Sequence, residues 1–134
     1  MTTTTQDRLD EERRAAVRQA LGALAGLVPF GVIAVDAEGR AWYLSQRWMD
    51  LSGATSEARD RPWYEAVYPD DQQVMAERWR EAVLRRGRLG EFRAAAPDGT
   101  VRRCKAETVA MVGADGAIAG HLIVVTDAQP SELS

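Results

Sequence analysis

The chain has a single cysteine, Cys104, and a single histidine, His121. A lone thiol excludes an intramolecular disulfide and any zinc site built on a cysteine pair. A lone imidazole excludes a two-histidine metal site and a histidine-to-histidine proton relay. Both residues fall in the same run of strands, so a Cys104–His121 couple is compatible with the sequence, but nothing places a third, orienting group beside them. Apolar runs of membrane length are missing, and the N-terminus has no basic flank followed by an apolar core, so a cytoplasmic protein without a membrane partner is expected. A basic excess is missing too. The net charge is −3 and the pI about 5.2, whereas a nucleic-acid or anionic-membrane partner calls for a basic face. There is no phosphate-cradling glycine loop and no kinase or cyclase segment, and the tail 129–134 is too short for a recognition helix. The expectation is a domain that acts through association.

What the chain does have suits one α+β domain. Its 134 residues, 46% of them hydrophobic, suffice for one core and not for two ordinary ones. Strands are signalled at Val32–Ile33–Ala34–Val35–Asp36 and Arg40–Ala41–Trp42–Tyr43–Leu44–Ser45, around the turn Asp36–Ala37–Glu38–Gly39. Three more follow, divided by Pro97–Asp98–Gly99 and Ala114–Asp115–Gly116 and ending near Val125–Thr126–Asp127. The acids Asp36, Glu38, Asp98, Asp115 and Asp127 fall at turns or strand ends, where carboxylates serve backbone N–H groups rather than catalysis. Asp127 is expected to hold the exit or to pair with Arg102 or Arg103. No catalytic residue set emerges.

Residues 1–6 read as a disordered start, and 7–28 as an amphipathic helix with Val17, Ala20, Leu21, Leu24, Leu27 and Val28 on one stripe. Gly22 and Gly26 each cost it roughly 1 kcal/mol against alanine, so the stripe needs a partner surface. Two are available, the outer face of its own sheet and the same helix of a second copy. Both are expected at once, with a homodimer contact through Val17, Leu21, Leu24 and Val28. A longer helix is expected over 69–86, with Pro69 in its first turn and Asp70 and Asp71 capping it. Met75, Trp79, Ala82 and Val83 share its inner face, and Gly87 ends it. On the strand 101–112, alternation separates Cys104, Ala106 and Thr108 from Arg103, Lys105 and Glu107. The charged set should face solvent. The small set either makes room for Trp48, Trp79 and Phe92 in a filled core or leaves a cavity. His121 is expected at a sheet edge or interface.

The order hairpin, short helices, longer helix, three-strand meander resembles a PAS domain over residues 29–128. Trp48–Met49–Asp50–Leu51–Ser52–Gly53 is similar to the family's first short helix, Tyr68–Pro69–Asp70–Asp71 to its His-Pro-Asp-Asp helix start, and Val125–Thr126–Asp127 to its closing Asp-Ile-Thr. Three positions depart: Ser45 stands where asparagine is common, Tyr68 replaces histidine, and Ala128–Gln129 replace Ile-Thr. The resemblance implies a five-stranded antiparallel sheet with short helices and one longer helix on one face. It also implies a pocket against that helix, with Trp48, Met75, Trp79, Phe92, Cys104, Ala106 and Thr108 as candidate ligand contacts. A photoadduct-forming flavin is excluded because the stretch 59–63 has no cysteine. Haem would need His121, Cys104 or Met75 from atypical positions, which argues against it. A noncovalent flavin or a small organic ligand stays open. The implied role is a sensor that binds a small apolar or aromatic ligand, a partner protein or both. The alternatives are a small enzyme acting on a hydrophobic metabolite and a ligand-free dimerisation module.

Overall fold

In the computed structural model, residues 5–25, 31–85 and 88–127 are described. Helix α1 (Thr5–Ala25) precedes strands β1 (Gly31–Val35) and β2 (Ala41–Leu44). Helix α2 (Gln46–Ser52) and three single 3₁₀ turns lead to α3 (Gln72–Arg85), followed by β3 (Arg88–Ala95), β4 (Val101–Val112) and β5 (Ile118–Asp127). The strands form one antiparallel sheet in the order β2-β1-β5-β4-β3. The last strand is thus central, hydrogen-bonded to β1 on one side and β4 on the other.

All three expected turns form, and an aspartate shapes each. Asp36 Oδ1 accepts the N–H groups of Glu38 and Arg40 at 3.0 and 2.9 Å, Asp98 Oδ1 that of Thr100 at 2.9 Å, and Asp115 Oδ1 that of Ala117 at 3.0 Å. Gly39 is required twice over: its φ is +85°, and a Cβ there would lie 2.6 Å from Trp79 Nε1. Gly120 is required by proximity alone, because a Cβ there would run into the Val35 carbonyl across the β1–β5 pair.

Ser45 ties the hairpin to α2. Its buried hydroxyl accepts the Trp48 N–H at 3.3 Å as the helix cap and the Val32 N–H at 2.9 Å from β1. Gly53 ends α2 at φ +75°, its N–H bonded to Met49 O at 2.9 Å.

The helix expected over 69–86 is divided. Pro69–Asp71 is a 3₁₀ turn, and α3 proper starts at Gln72. The cap assigned to Asp71 is corrected: its carboxylate accepts the Arg93 backbone N–H at 2.7 Å and both Nε and Nη2 of the same guanidinium at 3.0 and 2.7 Å. That hydrogen bonding holds the Asp71 carboxyl below the ordinary carboxylate range. Arg93 also lies over the Tyr68 ring at 4.6 Å, so the start of α3 is riveted to β3. The expected stop at Gly87 lies outside the described residues.

The inner face of the sheet meets α2, α3 and the turns between them around one core. Met75, Trp79 and Ala82 come from α3, and Ile33, Val35, Phe92, Ala94, Cys104, Ala106, Ile123 and Val125 from the sheet. On the outer face α1 lies across the sheet, with Leu21 buried against Val32 and Ala34 and Val17 packed beside Trp42 and Met111. Leu24 points away and is 56% exposed; Val28 lies outside the described residues. Arg103, Lys105 and Glu107 face solvent as alternation requires.

Arg102 Nη1 reaches Asp127 Oδ2 at 3.2 Å, both side chains more than a third exposed. An exposed pair contributes little, so Asp127→Ala is expected to lower the unfolding free energy by no more than about 1 kcal/mol in urea titration. A loss several times larger would give Asp127 a further structural duty.

Candidate functional site

Aromatic rings run through the core in edge-to-face contacts. Trp48 meets Phe92 at 6.1 Å, Phe92 meets Trp63 at 6.3 Å, Trp63 meets Trp79 at 6.0 Å, and Trp79 meets His121 at 5.1 Å. The ladder therefore ends in the imidazole. This corrects the placement of His121 at an edge or interface: it sits on the central strand, pairs with Val35 and Ala110, and is 3% exposed. The physical reason is parity, since His121 points to the same inner face as Ile123 and Val125.

Beyond the ladder lies a half-open groove of about 390 Å³ between the C-terminal part of α3 and the β4–β5 pair, with Leu84, Val109, Val112 and Ile118 of its lining exposed. Ala82, Val83 and Leu84 form one wall, and Thr108, Ala110, Val112, Ile118 and His121 the other. Two polar atoms in this lining, Thr108 Oγ1 and His121 Nδ1, are buried and have no hydrogen-bond partner among the described residues. Each such atom costs about 1–3 kcal/mol unless something meets it. Burial also lowers the His121 pKa below its usual 6.5, so the ring is neutral at physiological pH. A neutral imidazole offers one donor and one acceptor, and a threonine hydroxyl offers both. The two groups can satisfy either a donor or an acceptor on a guest, while the other walls are apolar.

The residues singled out from sequence divide here. Thr108 lines the groove, and Trp79 stands directly behind His121. Trp48, Met75, Phe92, Cys104 and Ala106 lie with Trp79 in the packed core, each no more than 4% exposed. Cys104 and His121 are not brought together. Cys104 pairs with Asp127 and His121 with Ala110, so they are offset along β4 by 110 − 104 = 6 residues, roughly 20 Å of strand. Burial pushes the Cys104 thiol up to about 11, which leaves it protonated and a poor nucleophile at neutral pH. Among the described residues no group of three His, Cys, Asp or Glu side chains could hold a metal ion. No helix among them is long and apolar enough to cross a membrane.

A second, more open groove of about 470 Å³ lies among the short helices, between Ser52–Ala54 and the turn at Tyr68–Pro69. Several of its polar side chains are already engaged. Arg61 Nε donates to Glu65 at 3.0 Å, and Gln72 Nε2 donates to the carbonyls of Glu65 and Val67.

No curated protein matches the chain. Among solved structures it is similar to the PAS domain of a protein from Colwellia psychrerythraea, with 22% identity and a TM-score of 0.64, covering 87% of this chain and 94% of that one. It is similar to an RNA-binding light-oxygen-voltage receptor at 14% identity and a TM-score of 0.66, covering 84% of this chain and 33% of the other. It is also similar to a sensory box histidine kinase/response regulator from Burkholderia thailandensis, with 18% identity, a TM-score of 0.54 and 82% of each chain covered. These likenesses are of fold. The family model described as PAS fold matches residues 41–124, from β2 through most of β5 and across every wall of the His121 groove, and the chain belongs to that family.

Proposed function

We propose that the chain is a sensory PAS module whose half-open groove beside His121 recognises a small, uncharged, largely apolar molecule with one polar edge. The observation that carries this reading is the pair of unpartnered buried atoms, Thr108 Oγ1 and His121 Nδ1, in one apolar-walled space. A guest that bonds to both recovers their desolvation cost, which gives it a specific pose as well as affinity. Among the described residues the lining has no cation to meet a phosphate, which favours a neutral heterocycle or phenol over a flavin nucleotide.

The route outward is short. His121 pairs with Val35 on β1, and the opposite face of β1 carries Val32 and Ala34 against Leu21 of α1. Ligand occupancy at β5 thus bears on how firmly α1 sits on the sheet, and α1 is the surface offered to a partner protein or a second copy. Leu21 is committed to the sheet, so in a homodimer the contact falls to Leu24.

A direct test is to titrate ¹⁵N-labelled protein with phenol, indole and benzamide. The reading requires saturable shifts at Ala82–Leu84, Thr108–Ala110 and His121, and their loss in Ala110→Phe, whose ring fills the space. Shifts that survive Ala110→Phe, or that fall elsewhere for every probe, would sink it.

A further inference from the structure

We propose a second ligand site on the opposite face of the sheet, beneath α1, that takes a small organic anion with an apolar body: an aryl or medium-chain carboxylate. A groove of about 280 Å³ opens where α1 crosses the ends of β2, β4 and β5. Val17, Trp42, Met111 and Val112 make its apolar surfaces, and Gly113 and Ala119 are small enough to leave depth between them. The volume corresponds to about ten waters, which suits a body of about ten non-hydrogen atoms.

The charge at the mouth selects the guest. Arg13 and Arg14 line the groove and, among the described residues, no acidic side chain does, on a chain whose net charge is −3. Arg14 places its guanidinium over the Trp42 ring, 5.6 Å from the centroid. A guanidinium held against an aromatic face keeps its fork of N–H donors directed sideways, the arrangement that takes a carboxylate through two parallel hydrogen bonds. The Asp115 carboxylate, which accepts the Ala117 N–H, lies beside Gly113, so a guest's carboxylate is directed to the Arg14 side of the groove. The groove is therefore an amphipathic receptor, apolar inside and cationic where Arg14 lies over Trp42.

Its position gives occupancy a consequence. A guest lying between Val17 on α1 and Trp42 and Met111 on the sheet adds contacts only when the helix is docked. By mass action it raises the docked fraction of a helix that carries Gly22 and is fastened chiefly through Leu21. The carboxylate thus acts as a clamp on α1 at a site distinct from the His121 groove, which it meets at Val112.

The test compares 1-naphthoate with its uncharged analogue 1-naphthalenemethanol on ¹⁵N-labelled protein. Naphthoate should give saturable shifts at Val17, Gly113 and Ala119 and slow amide hydrogen exchange along α1. The alcohol, and naphthoate on Arg14→Gln, should each bind about tenfold more weakly. Arg14 lies on the helix surface, and an unchanged core spectrum certifies that the variant is folded. Equal binding of acid and alcohol, or undiminished affinity in Arg14→Gln, would overturn the site. So would naphthoate shifts confined to Thr108, Ala110 and His121, an outcome that leaves the His121 groove to be judged by the neutral probes.

Discussion

Trp63→Ala is expected to cost about 3–5 kcal/mol of folding stability, a large share of the total of about 5–15 kcal/mol typical of a single domain. Trp63 is 2% exposed and stands at the middle of the ring ladder, edge-to-face with Phe92 and Trp79 and also with Tyr64. It follows Pro62 in a 3₁₀ turn, and its backbone N–H bonds to Gly39 O at 3.0 Å. Alanine keeps that backbone bond and removes only the ring, so the whole loss is packing. Trp63→Phe separates packing from polarity. The indole Nε1 is buried without a hydrogen-bond partner among the described residues, so phenylalanine discards an unsatisfied donor while keeping a ring in the ladder. Its expected cost is about 1 kcal/mol, the cavity term being offset by the recovered desolvation. Urea midpoints for the two variants decide the matter. A Trp63→Phe loss well above that value would show that the indole N–H is satisfied, and a negligible loss in Trp63→Ala would show that the ladder does not hold the core together.

The features legible in sequence were those set by local chemistry. Asp36, Asp98 and Asp115 beside Gly39, Gly99 and Gly116 made the three turns readable, because an aspartate oxygen accepting an N–H two residues on is a local event. The inner face of α3 was readable from the spacing of Met75, Trp79 and Ala82, and that of β4 from the alternation of Cys104, Ala106 and Thr108. Together with the order of elements, these were enough for the fold.

What escaped depended on partners far along the chain. Asp71 has the position of a helix cap, and the cap rule is sound for an isolated helix. Here Arg93, separated by 93 − 71 = 22 residues, offers three hydrogen bonds where the helix end offers fewer. The expectation of His121 at an edge or interface failed because strand order is set by long-range pairing. The centrality of its strand comes from the pairing of residues 31–35 with 121–125, which no local pattern encodes. The parity of His121 with Ile123 and Val125 was visible and would have turned it inward. The groove itself arises where the ring ladder stops and α3 offers Ala82 opposite Ala110, a juxtaposition fixed only by tertiary packing.

Replacing that imidazole by leucine should make the protein more stable and less useful. The ligand-free His121→Leu variant is expected to gain about 1–3 kcal/mol, because a buried nitrogen without a partner is exchanged for an apolar group that still meets the Trp79 ring. It should also lose the shifts that phenol, indole and benzamide produce at Thr108 and Ala110. The pH dependence supplies an independent signature. Burial depresses the folded-state pKa of His121 below 6.5, so below that value the unfolded chain takes up the proton more readily than the folded one. Wild-type stability is therefore complete above pH 6.5 and declines as the pH falls from there toward the folded-state pKa. As the only histidine in the chain, His121 accounts for the difference between wild-type and variant curves in that window. The variant curve should be flatter there, with the carboxylates titrating lower. A variant less stable than wild type at neutral pH would mean that the imidazole has a partner after all. Parallel curves would mean that it does not titrate between the two states. Retained probe shifts at Thr108 would move recognition off the imidazole and on to the hydroxyl alone.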